Sequence, residues 1–400
     1  QIGRMHFNGT DQLHGFAERY VGDHGPNMIG GTPVDHGSLE GTAGPGRISL
    51  EKSGYGQSAY EVHDESVTAT AVEFLEKHAE ALDSGDTDEP FCVAIGLMLP
   101  HQPFIARKND YDHFKGRVPP PDHPEAITES THPYLAWWRR HTGIEEVTDE
   151  EIERSRTAYW ALTSSLDRML GQIIGVLERS NLLDDTLIIY TTDHGEQVGE
   201  HGLWWKQTFY EEAARVPMIV SWPDQLPQGM RSVRVVSQID LNATILDLVE
   251  APALPSSSGR TMNGIINGQG ADAWDDTIFV EYCTEPGDSA HSEGNQAWQN
   301  RMVRRGDWKL SYYHSFEPQL FNLADDPHEM TDLAAHPDHT EKREELMRLV
   351  LQEWDPELVK EQIEQLTAEG AVLKSWASSV SPDDEYRWNL DPEMDHLDGG

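Results

Sequence analysis

Two short stretches gather residue types that do chemistry on an anion. The first, Ile188 to Glu212, reads IIYTTDHGEQVGEHGLWWKQTFYEE. An apolar run breaks into Asp193, His194 and Glu196, and a single lysine, Lys206, follows two tryptophans. A core strand would not tolerate Asp193-His194-Gly195-Glu196, because each buried charge needs a partner. A solvated loop has no use for Trp204 and Trp205. Asp193 offers hard oxygen to a divalent cation, and His194 can add nitrogen or a hydrogen bond behind the ligand. Lys206 could hold an anion beside that cation. The second stretch, LMLPHQPF, sets His101 between Pro100 and Pro103, which stiffen its loop.

Singly, each residue has a plain structural role. An aspartate after a strand turns the chain or caps a helix. A loop histidine bonds to backbone, a lone lysine sits on the surface, and Glu211 and Glu212 open a helix. Their conjunction at the carboxyl ends of two strands, where open α/β sheets bind ligands, is what points to a site.

Those strand ends require a sheet. Val67, Ala71, Phe74, Leu75 and Leu82 form a helical stripe, a polar turn follows, and FCVAIGLML reads as a buried strand. The order then repeats. Thr148 to Glu151 has the form of a capping box, and Tyr159, Leu162, Leu166, Met169, Ile173 and Leu177 line one helix face before the strand TLIIYTT. Helix then strand, twice, predicts an α/β fold with a mostly parallel central sheet flanked by helices. RVPMIVSWP adds a third strand and Ser237 to Glu250 another amphipathic helix. Beyond APALPSSSGR the strands DTIFVEYC, RMVRRGDWKLSYY and PQLFNL take hairpin-like spacing, with a helix from about His339. A smaller antiparallel α+β subdomain is expected there. The boundaries are set at 1–262, 263–345 and 346–400, the last an extension whose acidic tail from Ser379 reads as irregular.

Composition narrows the partners. The 400 residues suit one large α/β domain with a small companion. No apolar run approaches the roughly 20 residues of a membrane helix. The net charge of −40, from 70 acidic against 30 basic residues, repels nucleic acid and anionic membranes. Scarce lysine and spread acidity predict a halophilic protein, in which salt screens the self-repulsion. Cys92 and Cys283 both fall in apparent strands, so two buried free thiols are expected rather than a disulfide.

Taken together, GRMHFNGTDQLHGF, PHQPF, TTDHGEQVGEHGLWWKQTFYEE, RVPMIVSWP and DLNATILDL resemble, in order and rough spacing, the type I sulfatases. RRGDWKLSYY and FNLADDPHEMTDLA are similar to that family's C-terminal subdomain, and the first wording looks closest to choline-sulfatase-like members. The resemblance spans roughly residues 1 to 345. It implies an alkaline-phosphatase-like fold and hydrolysis of a small sulfate ester. By position it implies metal ligation by Asp193 and His194, around Ca2+ or another divalent cation such as Mg2+ or Mn2+. Lys206 matches the lysine that contacts sulfate, His101 the histidine that helps the leaving group depart, and His6 the histidine near the nucleophile. Arg4 stands where the family usually has lysine, which swaps a point ammonium for a planar fork. His14 is a further substrate-pocket candidate.

Type I sulfatases attack with formylglycine made from a C/S-x-P/A-x-R motif. Cys92 is followed by VAIG and Cys283 by TEPG, so neither qualifies. The family's early metal-binding aspartates are missing too. A truncated sequence is therefore expected, lacking at least one βαβ unit of roughly 30 residues, and inactive on its own. A cytoplasmic rather than secreted protein is expected, with self-association left open. The rival readings are a phosphonate or phosphate ester hydrolase of the same superfamily and a non-catalytic sulfatase-like binding protein.

Overall fold

The computed structural model describes residues 1–124, 131–269, 273–285 and 297–399. The chain forms two compact units that cut across the linear boundaries at 262 and 345. The first comprises Gln1–Leu183, Gln197–Trp205 and Gln365–Gly400, and the second Asp184–Glu196 and Lys206–Glu364. The sequence boundaries follow changes of texture along the chain, whereas the units follow contacts.

In the first unit, strand Ile2–Gly3 runs parallel to Ile95–Gly96. Gly54–Gln57 runs parallel to Ile105–Ala106 and antiparallel to His396–Gly399. Two long helices cover this framework. Ala59–Ser84 begins where the Ser58 hydroxyl accepts from the Glu61 amide, and it stops at Gly85, whose φ of 74° suits a residue without Cβ. Asp149–Arg179 starts on the predicted capping box, with Thr148 and Glu151 bonded reciprocally. Its apolar face packs Ala161, Leu162, Leu166 and Met169 against Leu99 and Ala106. Helix periodicity and core face agree here because the stripe has one sheet to bury against.

The second unit pairs Ile188–Thr191 with Met218–Ser221, antiparallel and in register from Ile188 opposite Ser221 to Thr191 opposite Met218. The Gln238–Leu248 helix, capped by Ser237 and Asp240, carries Leu241 into a cluster with Met262 and Ile265. A four-stranded antiparallel sheet follows, ordered Gln319–Asn322, Trp308–Tyr313, Gln299–Arg305, Thr277–Cys283. Leu346 and Val350 of helix Thr340–Val350 cover its Val303, Leu310 and Leu320. The expected antiparallel sheet with a helix is thus present. Among the described residues no helix is long and apolar enough to cross a membrane.

One local expectation fails and another holds only in part. The run from Cys92 forms a strand only at Ile95–Gly96, and Cys92 is exposed. Pairing begins where the Ile2 amide reaches Ala94 O (2.9 Å), past Cys92, so nothing covers that thiol as a sheet residue would be covered. The acidic tail is irregular only in part, with no helix or strand over residues 381–391. It follows a helix, Pro356–Val380, and ends as the strand His396–Gly399. Its polar side chains find partners in the first unit: the Asp395 carboxylate accepts from the Ala59 amide at 2.6 Å, and Arg387 Nε donates to His24 O at 2.9 Å.

Candidate active site

The first unit builds one cluster from the strand pair upward. At Gly3, φ is +92° and an added Cβ would lie 2.1 Å from Gly96 O; at Gly96 it would lie 2.0 Å from Arg4 O. Only glycines permit that approach, and it delivers Arg4 at the strand end. Arg4 Nε donates to His6 Nε2 at 3.1 Å, and Nη1 reaches Met98 Sδ at 3.1 Å and His24 Nδ1 at 3.5 Å. The guanidinium lies 5.5 Å from the Tyr60 ring centroid. Around the same ring stand His24 at 4.9 Å, His101 at 5.9 Å and His36 at 6.1 Å.

Protonation states within the cluster follow from burial. His24 is buried, and desolvation, followed by the Arg4 charge, pushes its pKa down to about 2. It is a neutral imidazole throughout the working pH range. His36 is held by Asp395, Nδ1 to Oδ2 at 2.8 Å. The His101 amide donates to Met98 O at 3.0 Å, and its ring Nδ1 faces Gln102 O at 2.7 Å. Donation from Nδ1 leaves Nε2 as the nitrogen able to take up or release a proton.

In the second unit, Asp193, His194 and Lys206 meet. The Lys206 ammonium donates to His194 Nε2 at 2.8 Å, while His194 Nδ1 lies 2.8 Å from Gly195 O. Asp193 Oδ2 is 3.5 Å from the same Nε2, and Oδ1 accepts from the His194 amide at 3.0 Å. Desolvation works to raise the Asp193 carboxyl, but the adjoining His194 and Lys206 outweigh it and hold it below the usual range. Burial, then the Lys206 charge, lowers the His194 imidazole. The arrangement is an anionic oxygen beside an ammonium that a neutral imidazole orients.

Lys206 reaches His194 because the chain folds back on Gly195. An added Cβ there would lie 1.9 Å from Glu212 O, and the Gly195 amide donates to Ala213 O at 2.8 Å. Glu211 is anchored in turn by Lys309 at 3.1 Å and Arg304 at 2.7 Å, and the buried Lys309 also holds Glu329 at 2.8 Å. The two tryptophans that precede Lys206 are core anchors of the first unit. Trp204 lies 5.7 Å from Phe104 and Trp205 lies 6.3 Å from Trp138.

The donors suit a hard divalent cation in kind. The Asp193 side chain is 73% exposed and presents carboxylate oxygen outward. His194 is engaged on both nitrogens, so in this arrangement it serves Lys206. Among the described residues no three His, Cys, Asp or Glu side chains are grouped so as to hold a metal ion. His14 is not drawn into the first unit's cluster by its ring contact; it is exposed, with its ring 4.2 Å from Phe7. Sequence reading missed His24, His36 and Tyr60, whose positions carry no motif; the Ser58 cap just before Tyr60 is the one local signal that a helix starts there.

Comparison with known proteins follows the same residues. The family model described as Sulfatase matches residues 39–251, and that described as N-sulphoglucosamine sulphohydrolase, C-terminal, matches residues 199–355. The chain is 31% identical to a choline-sulfatase of Rhizobium meliloti over 84% of this chain and 64% of the relative. It is 30% identical to arylsulfatase K of Gallus gallus over 72% of this chain and 55% of the relative. A phosphonate monoester hydrolase of Agrobacterium radiobacter superimposes with a TM-score of 0.62 at 25% identity, covering 77% of this chain and 63% of that one. The chain thus spans less than two thirds of each of these relatives.

Proposed function

The chain belongs to the sulfatase family, and from that premise we propose that the protein hydrolyses a small sulfate monoester. The observation that carries the reading is the Lys206–His194 contact of 2.8 Å beside the Asp193 carboxylate. Lys206 places a full positive charge where sulfate oxygens would lie, and His194 accepts from its ammonium and fixes its direction. Charge placed in advance on a transition state's oxygens is commonly the largest catalytic contribution.

In the first unit, His101 serves the departing alkoxide. With Nδ1 donating to Gln102 O, its Nε2 carries the proton to the leaving oxygen. Arg4 offers its remaining guanidinium N–H groups to sulfate oxygens, with His6 Nε2 accepting from Nε and holding the fork in place. His24, whose pKa burial and the Arg4 charge push down to about 2, stays neutral and adds no competing charge. Asp193 would hold Ca2+, or Mg2+ or Mn2+, with His194 joining only if Lys206 releases Nε2. Such a cation supplies Lewis-acid stabilisation of charge on oxygen. The reading assigns attack on sulfur to a formylglycine outside residues 1–400.

The test is a series of aryl sulfates assayed on the protein from its complete reading frame. His101→Ala should slow esters of poor leaving groups most, steepening the dependence of rate on leaving-group pKa. Activated esters need little proton donation and should suffer less. Lys206→Ala should lower the whole line, by roughly a hundredfold, since it acts on the sulfate common to all. Parallel losses in both variants would remove His101 from the leaving-group role.

A phosphonate or phosphate ester hydrolase is the second reading, favoured by the phosphonate monoester hydrolase fold match and by Arg4, whose fork suits a phosphonate as well as a sulfate. Initial rates on an aryl sulfate and on a phenylphosphonate monoester discriminate between them. Binding of both without turnover of either would favour a non-catalytic protein.

A further inference from the structure

The Ala59–Ser84 helix presents Tyr60 to His101, and the residue one turn on, Asp64, lies on the same face. Asp64 is fully buried, a placement that a carboxylate adopts only when its oxygens are well bonded. Its Oδ1 accepts from the Met98 amide at 2.9 Å, and its Oδ2 accepts from Met98 at 2.8 Å and from Leu99 at 2.8 Å. Those amides close the strand end from which the His101 loop departs. The turn is completed when the His101 amide donates to Met98 O at 3.0 Å. An unbroken path of hydrogen bonds therefore runs from the Asp64 carboxylate through the Met98–Leu99 peptide, by the Leu99 N–H and the Met98 carbonyl, to the His101 backbone. The same residue fixes Arg4, since Met98 Sδ receives Arg4 Nη1 at 3.1 Å.

We propose that Asp64 is a positioning residue for His101: its buried carboxylate clamps the Met98 and Leu99 amides and thereby sets where the His101 imidazole stands. The proposal rests on the reading of His101 as the residue that serves the leaving group. Asp64 touches neither substrate nor any reacting atom. Its oxygens reach the Met98 and Leu99 backbone N–H groups and, at 3.3 Å from Oδ1, the neighbouring His63 Nδ1, none of them a reacting group, so its effect must pass through loop geometry. A displacement of about 1 Å at a reacting group costs on the order of a hundredfold in rate. A side-chain amide could accept from one of the two backbone N–H groups but would set its own N–H against the other.

The test compares Asp64→Asn with His101→Ala and with Thr68→Val. The Thr68 hydroxyl donates to Asp64 O at 2.7 Å, so its loss disturbs the same helix without touching the clamp. Hydrogen exchange of the peptide spanning residues 95–101, read by mass spectrometry on the chain alone, should accelerate at least tenfold in Asp64→Asn and stay unchanged in Thr68→Val. With aryl sulfates, Asp64→Asn should steepen the leaving-group dependence as His101→Ala does, by roughly ten- to a hundredfold at the poor leaving-group end. In the His101→Ala background it should change the slope no further. A purely structural residue would lower every rate in the same proportion. If Asp64→Asn does not fold, Asp64→Glu, which keeps the anion but displaces it, carries the same comparison. A steep slope in His101→Ala with only parallel loss in the Asp64 variant overturns the proposal, as does unchanged exchange at 95–101. Parallel loss in His101→Ala itself instead overturns the reading of His101, and the positioning role falls with it.

Discussion

Asp193 and Glu61 show how one chemical group, the carboxyl, takes opposite protonation states. Asp193 lies beside His194 and the Lys206 ammonium, which keep it anionic despite desolvation. Asp193→Ala should cut the affinity for Ca2+ by at least about a hundredfold, because a hard cation is held chiefly by charged oxygen. Calorimetric titration of the purified protein checks this, and an unchanged isotherm would remove Asp193 from the metal site. Glu61 is buried, and desolvation raises its carboxyl to about 7, against the Ser165 hydroxyl and the Arg107 charge. The folded state therefore holds a proton that the unfolded chain, with a carboxyl near 4.5, has already released. Stability from this source is full below about pH 4.5 and is lost as pH rises through 7, by a few kcal/mol in all. Glu61→Gln should flatten that decline while keeping the Ser165 hydroxyl satisfied. Unfolding midpoints between pH 5 and 8 decide it, and equal slopes in the two proteins would contradict the assignment.

Two glycines make contrasting cases for the elements that carry these residues. Gly195 sits where the strand tip meets the returning chain, and its missing Cβ would lie 1.9 Å from Glu212 O. Gly195→Ala must push the backbone apart, at about 1–3 kcal/mol, and with it the Lys206–His194 contact. Gly171 lies inside the Asp149–Arg179 helix with nothing within 4 Å of an added Cβ. Gly171→Ala should stabilise by about 0.5–1 kcal/mol, by the helix propensity of alanine over glycine. Denaturant unfolding of both variants measures the difference, and effects of the same sign would mean that crowding at Gly195 does not govern the site.

Charge dominates the whole molecule. At −40 the folded chain repels itself, so stability should rise toward molar potassium chloride, where the Debye length falls to about 3 Å. A melting temperature that is flat or falls with added salt would end the halophilic reading. Pairing already offsets part of the repulsion where acidic residues find cations, as Glu211 does with Lys309 and Arg304. Most of the surface acidity has no such partner type available, since the chain holds 70 acidic residues against 30 basic ones.

From the chain alone, local pattern determined what local forces control. The capping box at Thr148, the helix face from Leu162 to Leu177 and the hairpin strands after residue 276 were all legible. Each depends on neighbours a few residues away, where periodicity, caps and motif spacing act directly. The Cys92 strand was misread, and the strand that ends the tail was missed, because pairing partners lie far along the chain: Cys92 precedes the point where Ile2 pairs, and Asp395 finds Ala59. Tertiary structure alone decided that Tyr60, His24 and His36 stand around Arg4 and His101, and that Asp64 reaches the Met98 amide. It also decided that His194 meets Lys206. Such contacts are set by how helices and strands pack and by which buried polar groups must be satisfied; even His194 and Lys206, which share one stretch of sequence, meet only because the chain folds back between them.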